Sequence, residues 1–84
     1  MEEKIKKDVI AYIASYADFP ADSIKDEFIL KNQPLYLDDI KLGFLTAALK
    51  QYLESIKPGK TLLVSELKKP GLSVKQTYEL IIKK

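Results

Sequence analysis

The residues best placed to do chemistry in this chain are two adjacent carboxylates, Asp38 and Asp39. The chain has no cysteine and no histidine. That excludes a disulfide, a thiol nucleophile, imidazole acid–base work and a Cys/His metal site. Paired carboxylates can hold a hard cation or act as acid and base. Neighbouring side chains on a helix point apart, however, and no third ligand stands near the pair, so neither chemistry is expected. The simpler reading is a helix start. One aspartate accepts a first-turn backbone N–H, worth about 1 kcal/mol, and both sit at the positive end of the helix dipole. No catalytic constellation appears elsewhere, so the chain is expected to bind rather than to be an enzyme.

The elements that must position this pair follow from apolar spacing. Ile5, Val9, Tyr12, Ile13 and Tyr16 recur every three or four residues and predict a helix from about Glu2 to Tyr16. Asp18-Phe19-Pro20 stops it, because the residue before proline avoids the helical region. Asp18 to Leu37 is a long irregular stretch, with Ile24 and Phe28 or Ile29 expected to dip into the core. A second helix is expected from Asp39 to about Ser55. Its broad apolar face combines Ile40, Phe44, Leu45, Ala47, Ala48, Leu49, Tyr52 and Leu53. Pro58-Gly59 ends it.

Leu62-Leu63-Val64 is ambiguous between strand and helix, and Ser65–Lys69 reads as a short helix before Pro70-Gly71. Ser73 caps a last helix to about Ile82, with Val74, Tyr78, Ile81 and Ile82 inward and Lys83-Lys84 at the negative end of the dipole. The expected fold is all-α, a four-helix bundle with a stubby third helix, forming one domain over residues 1–84.

Composition narrows the function. The hydrophobic fraction of 46% and charged fraction of 31% are those of an ordinary globular protein. The formal net charge of +2 gives no strong pull towards nucleic acid. No apolar run approaches the roughly 20 residues that span a bilayer. The expectation is a cytoplasmic monomer that binds neither membrane nor nucleic acid. Lys57, Lys60, Lys68, Lys69, Lys83 and Lys84 read as solvated surface, and the five tyrosines as edges of the core.

The segment Leu35-Tyr36-Leu37-Asp38-Asp39-Ile40, continuing through Leu45, Ala48, Leu49 and Leu53, resembles the attachment region of acyl carrier proteins. That family has a leucine, two spacers and then Asp-Ser-Leu opening its second helix. Leu35 takes the place of the first leucine, Asp38 matches the motif aspartate and Ile40 the motif leucine. The long first loop and the closing helix from Ser73 are similar as well. The resemblance implies a carrier-type bundle with a long loop between its first two helices.

The chain departs from the family where the family has its serine: Asp39 stands there. In carriers that hydroxyl becomes a phosphodiester to phosphopantetheine. A carboxylate in its place would form a hydrolysable acyl-phosphate anhydride, so phosphopantetheine is expected to be absent. Carriers also display acids along this helix, whereas this chain has Lys41, Phe44, Lys50, Gln51 and Tyr52.

The expectation is therefore a non-covalent interaction module, perceived by a protein partner such as an acyl-processing enzyme of lipid, fatty acid or secondary-metabolite synthesis. Its contact residues would be Asp39, Lys41, Leu42 and Phe44, with Leu42 and Phe44 partly exposed. A fixed charge at Asp39 would stand in for the phosphate. A genuine carrier with an atypical site and a general helical adaptor are the alternatives. Gly43, mid-helix, reads either as close helix packing or as the mouth of an inner cavity. The bulk of Tyr12, Tyr16, Phe44 and Tyr52 favours a filled core.

Overall fold

A computed structural model describes all residues from Met1 to Lys84. It contains four α-helices and no strand: α1 (Glu2–Ala17), α2 (Asp39–Ile56), α3 (Val64–Leu67) and α4 (Val74–Lys83), with a 3-10 turn at Ala21–Ser23. Helix α1 packs against α2 and α4, and α3 packs against α2. No helix is long and apolar enough to cross a membrane.

Helix α1 buries Ile5, Val9 and Ile13, spaced by four, and keeps Tyr12 and Tyr16 at the edge of the core. It ends at Asp18, which turns left-handed at φ 53°. The Asp18 and Phe19 N–H groups both donate back to the Ala14 carbonyl. Aspartate tolerates this conformation better than most residues, so the chain stops here without a glycine.

The stretch from Asp18 to Asp38 is packed rather than open. Its fully buried residues are Leu30, Leu35 and Leu37, while Ile24 and Phe28 lie against the core and half in solvent. Ile29, by contrast, makes an isolated bridge to Ser73. Leu30 N–H donates to the Leu72 carbonyl at 3.0 Å, and Leu37 N–H to the Leu30 carbonyl at 2.9 Å. The loop in turn caps α4. Val74 and Lys75, whose N–H groups have no partner inside a helix, donate to the Phe28 and Asp26 carbonyls at 2.8 and 3.0 Å.

Ser73 completes that cap reciprocally: its hydroxyl accepts from Gln76 N–H and its own N–H donates to the Gln76 side chain. Buried Val74, Thr77, Tyr78 and Ile81 form the inner face of α4, with Ile82 half-buried. At the other end of α4, the Lys57 ammonium donates to the Ile81 and Ile82 carbonyls. The helix dipole is thus met by a lysine from the α2–α3 connection rather than by Lys84. Lys84 instead reaches the Glu66 carboxylate at 2.9 Å.

The ambiguous Leu62–Val64 run settles as two non-helical residues, Leu62 and Leu63, followed by Val64 as the first residue of α3. Leu62 and Leu67 are buried, whereas Leu63 and Val64 are exposed. Glu66 fixes the start of the helix by accepting the Leu63 N–H at 2.9 Å. That bond, with the Lys84 ammonium after it, holds the Glu66 carboxyl below its ordinary value. Helix α3 begins and ends earlier than the Ser65–Lys69 expectation, because Leu62 and Leu67 must both reach the core.

Candidate functional site

The candidate site is the start of α2, and its geometry separates the two aspartates. Asp38 is the N-cap: its carboxylate accepts the Lys41 N–H at 2.8 Å. Asp39 is the first helical residue, and its side chain is 66% exposed. The Lys31 ammonium sits 3.2 Å from Oδ1 of Asp39. One acid therefore serves the backbone, and the other presents charge to solvent beside a cation from the loop.

The next residues correct the expected contact set. Leu42 is 0% exposed and belongs to the core, so it takes no part in a surface patch. Phe44 is 61% exposed, in keeping with its place in the expected contact set, while Ile40, expected only on the inward apolar face, is 71% exposed. Successive residues turn by about 100°. Leu42, Leu45, Leu49 and Leu53 thus gather on one side of α2, and all are fully buried. Ile40, Phe44, Ala47 and Gln51 gather on the opposite side, and all are exposed. Lys41 is also exposed, on the flank of that stripe.

Tyr36 belongs with these residues and was not among those expected. It is 59% exposed and stands between fully buried Leu35 and Leu37. Its backbone is left-handed, φ 49°, a conformation that costs a non-glycine residue about 1–2 kcal/mol. The turn is held because the Leu35 and Tyr36 N–H groups both donate to the Asn32 carbonyl at 3.0 Å. Burying the leucine on each side leaves the tyrosine facing solvent. The alternation Leu-Tyr-Leu is the sequence signal that could have found it. Of the five tyrosines, Tyr78 is buried in the core, Tyr12, Tyr16 and Tyr52 lie at its edge, and Tyr36 alone stands apart from it.

Gly43 fits neither expectation. A Cβ added there would meet nothing within 4 Å, so no close packing requires the glycine. None of the four surface grooves touches residues 35–51, so no cavity opens at it.

A groove of about 440 Å³ lies between α1 and α2, lined by Asp8, Ala11, Tyr12, Ser15 and Tyr52. Tyr52 donates its hydroxyl to Oδ2 of Asp8 at 2.7 Å, and Lys4 reaches the same oxygen at 2.8 Å. The Lys4 hydrogen bond, then that of Tyr52, hold the Asp8 carboxyl below its ordinary value, while burial and Asp8 push the Tyr52 phenol up. Tyr78 repeats the pattern with Asp26 at 2.7 Å, its phenol raised to about 12 by burial and then by that bond. A phenol raised in this way is a poor nucleophile or base near neutral pH. These pairs brace helices.

No three acidic residues come together as a set that could hold a metal ion. Comparison of the chain with protein-family models, with curated proteins and with solved structures finds no match in any of the three.

Proposed function

We propose that the chain is an acyl-carrier-like domain without a covalent arm, and that it acts as a non-covalent protein-interaction module through the solvent face of α2. The observation that carries this reading is the exposed pair Ile40 and Phe44 directly after the exposed Asp39. Single exposed apolar residues are ordinary on a protein surface. Two large ones on successive turns, with Ala47 beyond them and no charge in the stripe, make a contiguous apolar patch. The outward residues of α1 and α4 include Lys4, Lys7, Lys75 and Lys83, as a face meant for water would.

The element order and the Asp38 cap support the resemblance to carriers. Asp39 removes the hydroxyl on which their chemistry depends. Lys41 and Lys50 flank the stripe, so a strongly basic partner surface would be repelled there. The face suits a partner that offers apolar surface with charges of both signs.

Two measurements test the two halves of this reading. Incubation with coenzyme A and a broad-specificity phosphopantetheinyl transferase is expected to leave the mass unchanged, and a mass gain of one arm would overturn the absence of a carrier function. A photo-crosslinking residue at position 44 is expected to form a protein adduct in the source cells, while one at position 79 forms none. No adduct at position 44 would end the interaction-module reading.

A further inference from the structure

We infer that the partner this face fits is a second copy of the chain, docked antiparallel through α2. The inference rests on the reading of α2 as a contact face and names its occupant. Ile40, Phe44, Ala47 and Gln51 are spaced four, three and four residues apart and are all exposed. This is the spacing of a helix–helix seam, and here it lies on the side of α2 away from the core. Gly43 stands beside it with no neighbour within 4 Å of where a Cβ would be, which leaves a gap for a bulky side chain from outside. In an antiparallel pair centred near residue 44, Phe44 of one copy meets Gly43 of the other, and Ile40 meets Ala47.

The charges select a second copy over other occupants. Asp39 and Lys50 are exposed and eleven residues apart, three turns or about 16 Å along the helix, so they lie on the same flank of the stripe. A two-fold axis across an antiparallel pair brings that flank of one copy against the same flank of the other with the ends exchanged. Asp39 of each copy then stands about 3 Å along the axis from Lys50 of its mate, within reach of the long lysine side chain, so these two opposite charges face each other twice. Lys31 occupies the Oδ1 side of Asp39, leaving Oδ2 to the incoming lysine. A single helix pair covers much less than the roughly 1,600 Å² of a standard interface, so the dimer is weak and in rapid exchange. The monomer expected from the sequence is its dilute form.

Sedimentation velocity of the intact chain from about 10 µM to about 1 mM tests this, a range in which weak association is read directly. The weight-average mass is expected to rise with concentration for the native chain and to stay monomeric for Phe44→Glu. Asp39→Lys and Lys50→Asp alone are each expected to weaken association about tenfold, because each places like charges together at two symmetry-related positions. The double variant carrying both changes is expected to return to within about threefold of the native chain, since it rebuilds both pairs in reverse. Circular dichroism on each variant establishes that the fold is kept. A native chain that remains monomeric to the highest concentration overturns the proposal, as does a double variant no better than the single ones. If the chain is monomeric but the residue at position 44 crosslinks to a different protein, the dimer fails and the interaction module stands. If neither association nor adduct is seen, both fail.

Discussion

On α2, Leu42, Leu45, Leu49 and Leu53 are fully sealed from solvent, while Ile40 and Phe44 stand in it on the opposite side of the same helix. Both sets are apolar and both keep helical spacing. They differ only in what lies opposite. The leucines pack towards α1 and α3 and share one buried cluster with residues of α4 and with Leu30, Leu35 and Leu37 from the loop. The other face meets no element of its own chain. Burying the first set supplies stability at about 25 cal/mol per Å² of apolar surface. Leaving the second set exposed forgoes that gain, and a chain of 84 residues has little apolar surface to spare. The difference teaches that one face of α2 holds the fold together, while the other adds nothing to it and is free for the contact proposed above.

The comparison can be broken most sharply at the buried face. Leu49→Ala is expected to cost about 2–5 kcal/mol in urea unfolding, through lost burial and the cavity left behind. A cost well under 1 kcal/mol would place Leu49 outside the core. At the start of the helix the two aspartates should separate. Asp38→Ala is expected to lose about 1 kcal/mol with its cap, and Asp39→Ala about 0.5 kcal/mol or less, as an exposed ion pair does. Equal losses would show that both serve the fold.

Gly43→Ala should raise stability by about 0.5–1 kcal/mol, because the position is helical and the methyl group meets nothing. In the proposed dimer the same methyl group intrudes on Phe44 of the mate, so greater stability and weaker association should appear together. Tyr52 stands at the border between the faces and supplies a test by pH. Asp8 is held below 3.8, so its contribution to stability is full above that value and is lost as the pH falls through its native value. The deficit of Tyr52→Phe relative to the native chain should therefore shrink on acidification, as followed by thermal melts between neutral and strongly acid pH. The smallest effect is expected at the exposed face: Ile40→Ser should change stability by no more than about 0.5 kcal/mol while it weakens association.

Much of the fold was legible in the sequence where the deciding forces are local. Asp18-Phe19-Pro20, Asp38, Pro58-Gly59 and Ser73 each bound a helix within a residue or two of the expected place, because caps and breakers act on the backbone next to them. Helix α1 was readable because charge marks its outer side. Helix α2 was not readable in the same way. A helix that is apolar nearly all round has no single face that periodicity can identify, and Ile40 and Leu42 exchanged their expected places for that reason. The loop hid its core residues differently: Leu35 and Leu37 alternate over a single step and Leu30 lies five residues before Leu35, too short a pattern to read, and the path of the chain beside the start of α4 turns them inward. Lys57 carries no local sign of a partner, yet it caps a helix 24 residues further on.

The sequence by itself determined the number and order of helices, the place where α2 starts, and the absence of a serine at that start. Each rests on the identity of a residue and its nearest neighbours. The tertiary structure decided that Asp39 faces solvent with Lys31 of the loop beside it. It also decided that Leu42 is core and Ile40 is not, and that of the alternating Leu35-Tyr36-Leu37 it is the two leucines that turn inward. Those outcomes depend on which segments close over which face, and that is set by the packing of residues distant along the chain.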